Sequence, residues 1–266
     1  RLWNINVKYP SVLEHDIYGA EANKLFIDAN AILSRVEDVV LEGLFGIFKA
    51  ASDGDDILVL NEKGVQISRL ITLRQQAVKP AGVPNIALAD FIAPLSANTP
   101  DHIGLFCVTA GRNFELLAKE FESSGDDYNS IVCKALGDRI AEAFAEYLHE
   151  RVRREFWGYA KDEDYSPQEL ITAKYRGIRP APGYPACPDH LEKRTILTLL
   201  DAESQIGVKL TESMAMWPAS SVSGYYFSHP QSRYFGLGKI SEEQILDYSK
   251  RRGLKRAEAQ KWIIAI

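Results

Sequence analysis

Two stretches of this 266-residue chain concentrate groups able to hold a small molecule. The first is GIRPAPGYPACPDH, residues 177–190, with prolines at 180, 182, 185 and 188. Proline fixes φ and blocks both helix and central strand, so this stretch must follow a stiff, extended path. A loop that is rigid before binding loses little entropy when it orders a ligand. Proline nitrogens carry no proton, which leaves carbonyls along the loop free to accept from a ligand amine. Arg179 at the entrance offers a planar fork suited to a carboxylate or phosphate. Tyr184 adds a ring face and a hydroxyl. A rigid surface crossover closed by an ordinary Arg salt bridge has the same pattern, and spacing does not separate the two readings. The second stretch, Thr211–Pro230, mixes small residues that permit close approach with aromatics that give stacking surface. Aromatic strands are more often core, and that reading stands beside the functional one.

Other chemistry finds no support in the residues. GxGxxG, GxxxxGK[ST], GxSxG and HExxH are all absent. Five histidines (15, 102, 149, 190, 229) are scattered, and Cys187 with His190 is too small a set for zinc. Lys plus Arg number 31 against 36 Asp plus Glu, and the net charge of −5 argues against a nucleic-acid partner. No 18-residue apolar run is present, so nothing is expected to span a membrane. RLWNINVKYP at the start has no signal-peptide regions. Cys107, Cys133 and Cys187 form a sparse set without CxxC spacing, which fits a reducing, cytoplasmic compartment. The first residue is Arg1 and not an initiator Met, as in a segment of a longer chain.

Those side chains need elements to position them. Residues 12–33 have helical spacing. GLFGIFKAA (43–51), DILVL (56–60) and VQISRL (65–70) read as strands, the last two joined by a turn at Asn61–Gly64. HIGLFCVT (102–109) is another strand and Asn113–Phe121 a short helix. Asp126–Gly158 predicts a helix of roughly 50 Å. Along it Val132, Leu136, Ile140, Phe144, Leu148, Val152 and Phe156 recur every four residues and wind around its surface. Asp138, Glu142, Glu146 and Glu150 with Arg139, Arg153 and Arg154 form a solvated face. Ser166-Pro167-Gln168-Glu169 opens a short helix with a capping box. Further helices are expected over 189–202, from Ser241, and over 254–266. VSGYYFS (222–228) and SRYFGLG (232–238) flank His229-Pro230-Gln231 and read as paired strands. Without regular β-α-β alternation, the fold class is α+β with an antiparallel sheet. Nothing in the texture divides residues 1–266 into two domains.

At the two dense stretches the sequence resembles the activation domain of cobalamin-dependent methionine synthase. The runs that carry this are DDYNSIVCKALGDRIAEAFAEYLHERVR (126–153), GIRPAPGYPACPDH (177–190), LTESMAMWPASSVSGYYFSHPQSRYF (210–235) and the weaker LADFIAP (88–94). Together they cover most of the chain. The resemblance implies a C-shaped α+β domain with a twisted antiparallel sheet and a long helix. It implies binding of S-adenosylmethionine beside the cobalamin-binding domain of the same chain. Reductive remethylation of oxidised cob(II)alamin is the implied role, with an electron from flavodoxin or a related reductase. Arg179 matches the arginine that holds the methionine carboxylate, and Ala181 and Tyr184 lie on the adenosine-binding loop. Tyr234 and Phe235 match a ligand-contacting aromatic pair after the His229–Ser232 turn. Glu142 matches a long-helix carboxylate near the site, and a plain surface charge remains the other reading of it. Cobalamin and zinc belong to other domains of the full-length methyltransferase, so this segment alone is not expected to make methionine.

The family carries a further stretch before the Lys8-Tyr9-Pro10 motif, with an acidic residue near the ligand's amino group. This chain starts seven residues before Lys8, so that partner is expected to be missing from it. Methyl transfer from a sulfonium to reduced cobalt moves no proton, which agrees with the lack of acid/base motifs. The expected site is a groove lined by 177–184 and 234–235, open on one side, with Arg179 and Tyr234 within about 15 Å of each other. A stand-alone module that senses S-adenosylmethionine or docks a redox partner is the alternative.

Overall fold

The computed structural model describes residues 6–36 and 39–263. The helix expected over 12–33 is broken near its start. A 3-10 turn covers Ser11–Glu14, and α1 runs Gly19–Arg35. The His15 ring causes the break, because its Nδ1 accepts from the amides of Ile17 (3.2 Å) and Tyr18 (3.4 Å). Next come β1 (Glu42–Asp53), β2 (Asp56–Leu60) and β3 (Gln66–Ile71). The β2–β3 turn holds Gly64 at φ +77°, as its position in the sequence predicts. After β4 (Asp101–Thr109) and α2 (Asn113–Ser123), the long helix α3 spans Asp127–Arg151. It unwinds through one π turn, Val152–Phe156. The order continues with α4 (Pro167–Ile171), α5 (Glu192–Leu199), α6 (Ala202–Ile206), β5 (Lys209–Leu210) and β6 (Met216–Trp217). It ends with β7 (Ser221–Tyr226), α7 (Glu242–Arg252) and α8 (Arg256–Ile263). The last three residues of the helix expected over 254–266 lie outside the described residues.

Five strands pair antiparallel in the order β3-β2-β1-β4-β7, so the α+β reading holds. Alternation along β4 and β7 divides the core between the two faces of this sheet. Phe106, Val108 and Tyr226 point to α3 and pack with Ala145, Leu148 and Val152. Leu105, Cys107, Tyr225 and Phe227 point the other way, onto Ile196, Leu197 and Leu200 of the α5 region. The expected pairing of 222–228 with 232–238 does not occur. β4 holds one side of β7, and the start of the proline-rich stretch holds the other. Ile178 and Phe227 exchange both backbone hydrogen bonds at 3.1 Å, and the Tyr225 amide donates to the Pro180 carbonyl at 3.0 Å. Gly224 makes room for that approach, since a Cβ there would lie 2.5 Å from the Pro180 oxygen. With its edge already taken, β7 leaves no place for 232–238, which runs as a loop.

The buried seam of α3 also differs from expectation. Its most enclosed positions are Cys133, Gly137, Ala141, Ala145 and His149, while Leu136, Ile140 and Phe144 are half-buried and Phe156 is exposed. Small residues let the helix approach its neighbours closely. A Cβ on Gly137 would meet Ser220 Oγ at 2.3 Å and Phe114 at 3.1 Å. The polar face is only partly solvated, because Arg153 is completely buried and Glu146 half-buried.

Candidate functional site

A groove of about 700 Å³ opens at the β7 edge of the sheet. Its floor is Phe106, Ala145 and Val222, one wall is the 179–186 loop, and the other is Tyr234–Gly236. The loop is rigid for local reasons. Gly183 sits at φ +94°, its amide donates to the Cys187 carbonyl at 2.8 Å, and the Cys187 amide donates back to Tyr184 at 2.9 Å. The carbonyls of residues 180, 181, 184, 185 and 187 all accept from backbone amides, so the freely accepting loop expected from its prolines is mostly satisfied internally. The amides of Gly183, Tyr184 and Cys187 within the loop supply three of these donors, and Tyr225 and Leu237 supply the other two.

The structure brings the six sequence-picked residues together around this groove. Arg179, Ala181, Tyr184, Tyr234, Phe235 and Glu142 all line it. The Arg179 amide donates to the Tyr234 hydroxyl at 2.9 Å, so the two segments are joined directly. Tyr184 is 61% exposed and Tyr234 49%, which leaves the groove open to solvent. Phe235 is half-buried and meets Phe91 edge-on at 6.4 Å, so it belongs to the core as well as to the wall. Glu142 lies at the exposed rim and pairs with Arg139 at 2.8 Å.

Behind Arg179 lies a polar cluster that the sequence did not suggest. Both Nη atoms of Arg179 donate to Glu146 Oε2 at 3.1 Å, and Nη1 lies 3.3 Å from His149 Nδ1. A guanidinium is donor only, so Nδ1 accepts and the proton of His149 sits on Nε2, facing the Tyr159 oxygen at 3.5 Å. Burial, reinforced by Arg153 and Arg179, holds the imidazole well below its ordinary pKa and keeps it neutral. Its ring stacks on Tyr226 (centroids 4.8 Å apart) and meets Tyr175 edge-on at 5.1 Å. Arg153 lies 3.9 Å above the Tyr175 ring and donates to Glu163 at 2.7 Å. Burial disfavours the charge on Arg179, and Glu146 together with Tyr175 and Tyr234 more than offsets it. Glu146, His149 and Arg153 follow Glu142 at helical spacings of four, three and four, so residues expected on a solvated face form a polar stripe that turns inward with His149.

Chain-wide comparison fits this geometry. Residues 1–253 match the family model described as "Vitamin B12 dependent methionine synthase, activation domain". The chain belongs to this family. A solved structure titled "Crystal Structure of the MetH Reactivation Domain bound to AdoHcy" shares 49% sequence identity, with a TM-score of 0.93 over 98% of this chain and 82% of that one. The fold is therefore that of a methionine synthase activation domain. Among the described residues of this activation domain, no helix is long and apolar enough to cross a membrane. Cys187 and His190 have separate neighbours, Tyr225 and Lys193, and no three His, Cys, Asp or Glu among the described residues converge as a metal set.

Proposed function

We propose that this activation domain binds S-adenosylmethionine, and the product S-adenosylhomocysteine, in the groove beside Arg179. In that position the domain supports reductive remethylation of cobalamin in a methionine synthase. The observation that carries the reading is an arginine fixed from behind by Glu146 and His149, at the edge of a largely apolar groove of ligand size. The related structure bound to AdoHcy supports it. Arg179 holds the amino-acid carboxylate by charge-assisted hydrogen bonds. Tyr184 and the loop at Ala181 flank the adenosine, and Tyr234 and Phe235 close the opposite wall. Cobalamin, held on the partner domain of the full-length enzyme, supplies the nucleophile for the sulfonium methyl. This chain's residues then have only to orient the ligand and leave the methyl accessible, which the open groove allows. A modest, reversible interface with the cobalamin-binding domain, and an electron from flavodoxin or a related reductase, complete the proposal. Calorimetric titration of the chain with S-adenosylhomocysteine tests it. A single site is expected, and absence of binding by the folded chain refutes the reading.

A further inference from the structure

We propose that Glu146 and His149 are positioning residues that hold the Arg179 guanidinium so that its Nε–Nη2 edge is left for the ligand's carboxylate. The inference rests on the reading of the groove given above. A guanidinium has five N–H groups in one plane. Glu146 Oε2 is approached at 3.1 Å by both Nη1 and Nη2, the end-on arrangement, which takes one proton from each nitrogen. The second Nη1 proton faces His149 Nδ1 at 3.3 Å. Three donors are thereby engaged. The Nε proton and the remaining Nη2 proton lie side by side on one edge, the arrangement that receives a carboxylate with two parallel bonds. Neither has a partner among the described residues.

The two anchors are themselves fixed. His149 has no exposed surface and is gripped between Tyr226 and Tyr175, so its acceptor nitrogen cannot turn away. Glu146 Oε1 lies 3.9 Å from Nη1 of the buried Arg153, a second cation facing the same carboxylate. Arg153 in turn is tied to Glu163 across the π turn. Arg179 thus meets its ligand with its plane already set, and little orientational freedom remains to be lost on binding.

Two variants test this, each measured with two ligands. Glu146→Asp keeps the charge and withdraws the oxygen by one methylene. His149→Phe keeps the stacked ring and removes the acceptor. S-adenosylhomocysteine carries the carboxylate, and 5′-methylthioadenosine lacks it while sharing the adenosine and thioether. Each variant is expected to weaken S-adenosylhomocysteine about tenfold or more and to leave methylthioadenosine within about twofold, as lost charged hydrogen bonds require. Equal weakening of both ligands identifies a merely structural role and overturns the proposal, as does unchanged binding of S-adenosylhomocysteine. An unmodified chain that binds neither ligand refutes the assignment of the groove instead.

Discussion

The proline-rich segment is fastened at each end by an arginine, and the two fastenings differ in kind. At its start Arg179 meets one carboxylate and one neutral imidazole, and one edge of its guanidinium stays unengaged beside a groove. At its end Arg252 of α7 is gripped by two carboxylates, Asp189 and Glu192, both buried. Those carboxylates have further duties. Asp189 accepts from the Leu191 amide at 2.8 Å, and Glu192 from the Ile71 amide at 2.9 Å, on the outer strand β3. The second cluster therefore joins the loop, α5, α7 and the sheet. Spare donors do not separate the two, because Arg252 engages only its Nη2 and keeps a buried Nε without a partner; what separates them is that Arg179 borders a groove and Arg252 joins packed elements. The same residue type reads alike in sequence and differs in where the fold places it, beside a groove or between buried elements.

If that contrast holds, removing the fastener has the largest effect. Arg252→Met is expected to destabilise the domain by about 3–5 kcal/mol, because it leaves two buried carboxylates without their cation. Urea unfolding measures this, and the affinity of the remaining folded molecules for S-adenosylhomocysteine should not change. A variant that stays stable and loses binding would reverse the two roles.

Arg179→Ala is expected to weaken S-adenosylhomocysteine by about 2–5 kcal/mol in calorimetry. A smaller stability loss should accompany it, since Glu146 loses both of its short contacts and retains only Arg153 at 3.9 Å.

The fastener should also answer to pH. Burial, with Asp189 adding to it, outweighs the pull of Arg252 and the Ile71 amide and raises the Glu192 carboxyl from 4.5 to about 7. The folded state then keeps a proton that the unfolded state releases above pH 4.5. Stability from this group is fully present below that pH and is lost as pH rises through about 7, by up to roughly 3 kcal/mol. Glu192→Gln should flatten that slope between pH 5 and 8. An unchanged slope would show that Glu192 is ionised throughout.

The smallest effect is expected at the groove wall. Tyr234→Ala should weaken the ligand by about 1–3 kcal/mol through lost packing. Tyr234→Phe should cost about 1 kcal/mol or less, the hydroxyl's bond to the Arg179 amide being its main loss. A drop in melting temperature with unchanged affinity would place Tyr234 in the core and outside the site.

How much of this could be read from the chain follows from the range of each interaction. Local devices were legible. The Ser166–Glu169 capping box forms, with Glu169 accepting from the Ser166 amide at 3.1 Å, and Ser241 caps α7 by accepting from Gln244 at 3.2 Å. Long-range choices were not. Residues 232–238 have strand-like alternation, but pairing with β7 was decided by competition from a segment some 50 residues earlier. The large apolar residues of α3 marked a stripe, yet the tightest contacts fell to the glycine and alanines beside it, because closeness depends on absent volume. Within the groove, the residues carried by motifs fell together, whereas Glu146 and Arg153 read as part of a solvated face and His149 as one of five scattered histidines. Nothing within α3 announces that its partner is Arg179, 33 residues beyond Glu146.

The segment 178–180, bridged to β7 at Ile178, also bears on how the sheet ends. An exposed β edge invites pairing with another molecule, and this one has almost no donors left to offer. Ile178 gives its amide to Phe227, Pro180 has none, and the amide of Arg179 is occupied by the Tyr234 phenol. The residues that frame the groove thus also insulate this edge against growth of the sheet. Loss of that phenol would return one amide to the open edge, and self-association would be the price of altering the wall.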